Sequence, residues 1–395
     1  MVSIGTVTGP GAGAGDLFQL FRDHQAFTKA QLAETTGLSR STISARIDLL
    51  ISGGLLKSAG EAVSSGGRPP ARVEFNPLAR VVVGADLGAT HGLVALCDLQ
   101  GAVLGTVSTE ISIALGPETV LAWVVESITD LLAAGGFDPA RLAGIGIGVP
   151  GPVEHSTGRA TNPPIMPGWD AFDIPGFVGR SFAVPILVDN DVNILALGEH
   201  ARVWPAIDDL VYVKVATGIG AGIISGGELQ RGAPGTAGDI GHVRVPYNRR
   251  SPRDPDDDRD LEAIASGTAI ARDLRDLGLP TQSSADAMDL VRSGNPTAIE
   301  ATRQAGRELG EVLAIMVNVL NPSIIVIGGS VARGGEHLLA GVREVVYMRS
   351  MPLATQHLSI VAARSGDQAG TLGAAILVIQ RVLSATAVDA MLAEA

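Results

Sequence analysis

Two stretches of this chain share one design, and it limits the folds open to the sequence. "RVVVGADLGAT" (80–90) and "LVYVKVATGIGAGI" (210–223) each run an apolar strand directly into a turn of Gly and Thr. In the first, Asp86 ends the strand and Gly88 and Thr90 lie in the turn. In the second, Thr217, Gly218, Gly220 and Gly222 occupy the turn. Glycine lets backbone N–H groups approach phosphate oxygens, and a Thr hydroxyl adds a donor. Ordinary hairpin turns would explain either stretch alone. Two of them, separated by α/β sequence, are far more specific.

The intervening sequence repeats the strand-and-turn theme. "LAGIGIGVPGPV" reads as a buried strand ending in a Gly/Pro turn, and "VPILVDNDVNILALGEHAR" as a strand followed by a helix from Val192. Asn190 and Asp191 sit where that helix begins, so each reads equally as a cap or as a site residue. "NPSIIVIGGSVA" adds a strand and Gly turn carrying Gly328 and Gly329, and helices are predicted over 296–320 and 336–348.

Residues 16–76 have another character. "DLFQLFRDH" carries a helical stripe with Asp16 as its cap, and "FTKAQLAETTG" reads as a helix capped by Thr28 and closed by Gly37. "LSRSTISARIDLLISG" comes next, with Ser39 as cap and Ile43, Ile47, Leu50 and Ile51 on one face. Two short helices around a tight turn make a helix-turn-helix. The outer face of the second holds Arg40, Ser41, Thr42, Ser44 and Arg46, hydrogen-bonding groups suited to base edges and phosphates. A merely solvated face more often carries Glu and Lys. "GLLKSAGEAVSSGGRPPARVEFN" then predicts two strands around a Gly/Ser tip, a wing, with Arg68 placed to enter a minor groove; a plain linker is the competing reading.

The chain of 395 residues is 46% hydrophobic and 18% charged, which suits packed cores and argues against general disorder. No apolar run reaches the ~18–20 residues that span a bilayer. Residues 1–15 read as a flexible leader rather than a signal peptide, because they lack a basic start and Gly interrupts their apolar residues. The net charge of −12 speaks against nucleic acid, yet its distribution does not: residues 1–75 hold seven Lys/Arg against six Asp/Glu, leaving 22 against 35 for the rest. The lone cysteine, Cys97, reads as a buried thiol, and a cytoplasmic location is expected.

From Ala79 onward the chain resembles the ROK family (repressor, open reading frame, kinase). The resemblance is carried by "DLGAT" (86–90), "VPGPV" (149–153), "NPPIMPGW" (162–169), "VDNDVN" (188–193), "ATGIGAGI" (216–223), "GDIGH" (238–242), "LEAIASG" (261–267) and "IVIGGSV" (325–331). It implies an α/β chain: a winged helix-turn-helix at 16–76, then a two-lobed, actin-like, ribonuclease H-like domain with lobes at 80–200 and 201–395, the final helix returning to the first lobe. It further implies that Asp86, Gly88, Thr90, Thr217, Gly218, Gly220, Gly328 and Gly329 match nucleotide-binding positions. Asn162, Asn190, Asp191, Asp239, His242 and Glu262 match sugar-binding positions, with Asp191 the general base of the family's kinases.

Two departures stand out. Asp239 replaces the family's usual Glu, and the stretch leading to Glu262, "RRSPRDPDDDRDLE", has charges where most members have a three-cysteine zinc loop completed by the His matching His242. Structural zinc is therefore expected to be absent, and the charged run to be a solvated or salt-bridged loop. ATP and Mg²⁺ are expected only if the chain is a kinase. The combined reading is a sugar-responsive DNA-binding regulator of carbohydrate metabolism, expected to be a repressor. Its partners would be a palindromic double-stranded operator, a sugar or sugar phosphate, and further copies of itself as dimer or tetramer, with no membrane. The alternative is an ATP-dependent sugar kinase that also binds DNA.

Overall fold

The computed structural model describes residues 13–22, 26–61, 71–163, 165–245 and 259–394. Arg68 with its "GGRPP" segment, the leader up to residue 12, and most of the charged run lie outside these. Two compact units result: one comprises Met1–Ile147, Ile174–Leu187 and Ala374–Ala395, the other Gly148–Asp173 and Val188–Gly373. These limits differ from those expected. Residues 16–76 belong to the same unit as residues 77–147, and residues 148–173 and 188–200 group with the second unit.

The first unit opens with α1 (Ala14–Gln19), β1 (Phe27–Thr28), α2 (Lys29–Thr36), α3 (Arg40–Ser52), β2 (Leu56–Glu61) and β3 (Ala71–Phe75). Gly13, not Asp16, precedes α1; Asp16 lies one turn inside and accepts the Gly13 amide at 2.8 Å. The reciprocal cap of α2 arises from its sequence: Thr28 Oγ1 accepts from the Gln31 amide while Gln31 Oε1 accepts from that of Thr28. Gly37, at φ 69°, closes the helix in the left-handed region. Ile43, Ile47 and Leu50 of α3 are buried, whereas Ile51 is 42% exposed, so the inward stripe is narrower than predicted. Strands β2 and β3 pair antiparallel, with Leu56 opposite Phe75, and β1 adds to the other edge of β3.

Next come β4 (Val81–Leu87), β5 (His91–Asp98), β6 (Val103–Glu110), α4 (Pro117–Ala134) and β7 (Leu142–Val149). Strands β8 (Val153–Glu154) and β9 (Arg159–Ala160) form a hairpin in the second unit, and α5 (Ile174–Gly179) and β10 (Ile186–Asn190) come after it in the chain. The five-stranded sheet has the order β10-β7-β4-β5-β6, its last three strands an antiparallel meander. Cys97 is fully buried in β5; burial, aided by Asp98, pushes its thiol up to about 12, which keeps it protonated and inert.

The second unit is built on α6 (Asp191–Val203), β11 (Leu210–Val215), β12 (Ile219–Ser225) and β13 (Glu228–Gln230). Helices α7 (Leu261–Ala265), α8 (Gly267–Asp276), α9 (Ser284–Arg292) and α10 (Pro296–Leu320) succeed them, then β14 (Ile324–Gly328), α11 (His337–Arg349), α12 (Pro352–Thr355) and β15 (Ser359–Ala362). Its sheet has the order β13-β12-β11-β14-β15, with β11 parallel to β14 and antiparallel to β12. Alternation divides β11: Val211, Val213 and Val215 pack in the large cluster with α8 to α11, while Leu210 and Tyr212 pack with Val192 and Ala196 of α6. The chain ends with α13 (Ala369–Val382) and α14 (Ala385–Glu394). In the first unit α14 is tied to α1: Asp389 accepts the Gly15 amide at 2.7 Å, and the Gln19 side chain donates to the Leu383 carbonyl. Apolar residues from Leu17 to Val388 form one core cluster there.

Candidate functional site

Strand β10 delivers Asp189 and Asn190 to the start of α6. Asn190 caps that helix, its Oδ1 accepting the Val192 amide at 2.9 Å, and its Nδ2 donates to the Gly151 carbonyl at 2.7 Å. The cap is thus occupied by Asn190, which releases the adjacent Asp191 side chain from that duty. Asp191 is buried, and its Oδ2 accepts from Lys214 Nζ at 2.5 Å. Asp189 is buried as well: Oδ2 accepts from Arg231 Nε at 2.7 Å, and Oδ1 from Asn193 Nδ2 at 2.7 Å. Burial, and next the charge of Arg231, push His155 below the ordinary imidazole value.

Other site residues close around β12. Glu262, in the first turn of α7, turns its Oε2 onto the Ile219 amide at 2.8 Å. The same oxygen would lie 2.5 Å from a Cβ at position 218 and 3.3 Å from one at 241, so glycine at both leaves the carboxylate its place. Asp239 precedes the short helical turn Ile240–His242, and His242 ends it. His242 Nδ1 meets Asp260 Oδ2 at 3.2 Å, and Asp260 Oδ1 caps α7 through the Ala263 amide. The Asp260 hydrogen bond raises His242 above its ordinary value. Asn162 adopts a left-handed backbone, φ 43°, and its amide donates to Asp170 Oδ1. Its neighbour Pro163 abuts Gly151, whose carbonyl Asn190 holds. All six residues matched to sugar positions therefore belong to the second unit.

The turn after β11 is shorter than its sequence implies. It ends at Gly218, while Gly220 and Gly222 lie within β12. Their lack of a side chain serves packing: a Cβ at 220 would meet Val192 at 3.0 Å, and one at 222 would meet Ala196 at 2.5 Å. Gly328 ends β14 against the Tyr212 hydroxyl, and Gly329, φ 93°, approaches the Val215 carbonyl. Thr217 stands at the exposed turn, where its carbonyl accepts from Thr268. In the first unit Asp86 is buried at the end of β4, Gly88 donates its amide to the His91 carbonyl, and Thr90 is exposed.

On α3, Arg40 and Ser41 are exposed, and Thr42, Ser44 and Arg46 are half-buried. Ser39 Oγ contacts both Ser41 and Thr42 at 2.8 Å, while Lys29 of α2 donates to Ser44 at 3.0 Å. One buried guanidinium nitrogen of Arg46, Nη1, has no partner among the described residues. No single helix among the described residues is long and apolar enough to cross a membrane.

Lys29, Asp189, Lys214 and Arg231 were not singled out from sequence. For Lys214 a signal existed: it interrupts the alternating apolar face Leu210, Tyr212, and the interruption points at α6.

Comparison with known proteins adds the family. The chain is 29% identical over 382 residues to a putative xylose repressor of Caldicellulosiruptor sp., covering 92% of this chain and 94% of that protein. A glucokinase of Thermotoga maritima is 29% identical over 320 residues, covering 76% of this chain and 98% of the kinase. The crystal structure of a ROK family transcriptional regulator, a homolog of the Escherichia coli MLC protein, superposes with a TM-score of 0.80 at 26% identity, covering 97% of this chain and 98% of that one. The pattern of the ROK family matches residues 82–381, and the chain belongs to that family.

Proposed function

We propose that this protein is a sugar-responsive, DNA-binding transcriptional repressor of carbohydrate metabolism. The observation that carries the reading is coverage: a repressor relative aligns along 92% of the chain, whereas a glucokinase aligns along 76% and the family pattern itself begins at Val82. The segment before Val82 holds α1 to α3 and the β2–β3 pair. We read this as a winged helix-turn-helix, with α3 entering the major groove through Arg40, Ser41, Thr42, Ser44 and Arg46. A palindromic operator implies at least two copies, dimer or tetramer, and the location proposed is the cytoplasm.

The ligand proposed is a sugar held in the second unit by Asn162, Asn190, Asp191, Asp239, His242 and Glu262. Planar polar groups of this kind satisfy sugar hydroxyls and reject ligands that leave them unpaired. Sugar binding would alter the spacing of the two DNA-binding elements of a dimer, and with it operator affinity. Gel shifts on the gene's own upstream region, with D-xylose, D-glucose, N-acetyl-D-glucosamine and their phosphates, test this. Absence of a sequence-selective shift at moderate salt removes the DNA-binding reading.

A kinase is the second reading, favoured by the glucokinase match and by the presence of Asp86, Thr90, Thr217 and Asp191. ATP with Mg²⁺ would then supply the phosphoryl group. One departure from the family's pattern weighs against it: Asp239, a methylene shorter than the usual Glu, would shift or weaken one sugar contact. Nor do the residues fit a thiolate zinc site, since the sole cysteine is buried in β5 and Asp260 partners His242. Coupled ADP release with the same sugars tests this reading, with Asp191→Ala as control.

A further inference from the structure

Of the 29 basic residues in this chain only Lys29, Lys57 and Lys214 are lysines; the others are arginine. Lys29 and Lys57 lie in the α1–β3 segment, so Lys214 is the one lysine of the family domain. It also stands on a strand face otherwise given to packing, after Leu210 and Tyr212, where the sheet meets α6. Its ammonium donates to Asp191 Oδ2 at 2.5 Å, with side-chain exposures of 24% and 6%. The other oxygen of Asp191, Oδ1, makes no hydrogen bond among the described residues. A compact ammonium with three donors can hold a carboxylate and still donate to a ligand, which the planar guanidinium fork of Arg does less readily in so confined a place.

We propose that Lys214 is a positioning residue for the ligand: it ties down Oδ2 of Asp191 and leaves Oδ1 to accept from one hydroxyl of a neutral sugar. The same hydroxyl accepts in turn from the Lys214 ammonium. A hydroxyl, both donor and acceptor, completes the pair; a ligand lacking it leaves Asp191 Oδ1 without a donor. With Oδ2 engaged, Asp191 serves recognition and not proton removal. The inference rests on the sugar-binding reading above; Asn193 and Arg231 hold the neighbouring Asp189 at the end of β10, just before Asp191.

The pair is tested first without any sugar. Competitive acetylation with an N-hydroxysuccinimide ester, read peptide by peptide, reports on three lysines at once. Lys214 is expected to react more slowly than Lys29 and Lys57, and Asp191→Asn, which removes the charge-assisted hydrogen bond, to speed it by about tenfold. Burial alone would leave the rate unchanged in that variant, and an unchanged rate overturns the proposal. Sugar affinity is then measured by thermal shift with the panel named above. Lys214→Met should weaken the binding sugar by about a hundredfold, the scale of losing one partner of a buried charge pair. Lys214→Met with Asp191→Asn, a neutral pair of similar shape, should bind no worse than Lys214→Met alone. Effects that multiply independently, or Lys214→Met binding like wild type, overturn it, as does wild-type ADP release that Asp191→Asn abolishes. If wild type binds no sugar of the panel, the sugar reading falls by itself, and the acetylation rates still decide whether Lys214 holds Asp191.

Discussion

Glu262 and Ile219 are 43 positions apart, yet the carboxylate of one accepts the backbone amide of the other at 2.8 Å. The bond fixes α7 against the turn that begins β12, with Gly218 and Gly241 packed on the same carboxylate.

Replacing Glu262 by Ala leaves the Ile219 amide without its acceptor. A loss of about 1–3 kcal/mol is expected for a donor so orphaned. Glu262→Gln keeps an acceptor oxygen and should recover most of that stability while losing the charge. Urea unfolding of both variants, beside their sugar-induced thermal shifts, separates the two roles. Equal stability of Glu262→Ala and wild type would show that the bond does not hold the turn.

His242 gives a pH-dependent contribution. Its hydrogen bond to Asp260 raises its pKa above 6.5, with burial opposing and the charges of Asp239, Asp260 and Glu262 assisting. Because the folded value is raised, the stabilisation is fully present below about 6.5, the unfolded value, and fades as pH rises through the folded one. With 61% of the side chain exposed, the effect on stability is small, so the direct measurement is the imidazole titration by NMR. Asp260→Asn keeps a cap for α7 but removes the charge, and the His242 midpoint should fall toward that of free histidine. A midpoint that does not move would assign the shift elsewhere.

Local signals reached some of this from sequence and stopped where contacts become long-range. The cap Thr28, its partner Gln31 and the closing Gly37 lie within ten residues of one another, so α2 was legible. Asn190 and Asp191 were legible as a helix start, and the structure divides their duties, Asn190 capping and Asp191 facing Lys214. Lys214 was visible as a break in the apolar alternation of β11, but its partner, Asp191 at the start of α6, lies outside any window around residue 214. Gly220 and Gly222 read as a turn for the same reason: what they make room for is Val192 and Ala196 of α6, far upstream in the chain. Ile51 failed differently, because a stripe at helical spacing does not reveal where the core ends.

Arg40 is exposed at the first turn of α3, where a recognition helix reaches base edges. Arg40→Ala should weaken operator binding by roughly 1–3 kcal/mol, the value of one good base contact. Binding to a scrambled duplex should change less, and the salt dependence of operator binding should stay near that of wild type. Fluorescence anisotropy on both duplexes at several salt concentrations distinguishes the cases. Equal losses on both, with a shallower salt slope, would make Arg40 a phosphate contact instead.

Glu199 is a heavily used carboxylate of the second unit. It is fully buried in α6, and its two oxygens accept the amides of Arg364 and Ser365, the Ser365 hydroxyl and the Trp204 indole N–H. The Arg364 guanidinium in turn lies over the Trp204 ring, 4.5 Å from its centre. A buried charge is tolerable here because several donors converge on it, and the same convergence makes its removal costly. Glu199→Ala leaves those donors unpaired and should destabilise the protein by about 3–5 kcal/mol, the range for breaking a buried charged network. Glu199→Gln retains one oxygen but turns an NH₂ group toward donors, so an intermediate loss of about 1–3 kcal/mol is expected. Denaturant unfolding with an unchanged slope measures both. If Glu199→Gln unfolds at the wild-type midpoint, the negative charge is not what joins α6 to the Arg364–Ser365 segment.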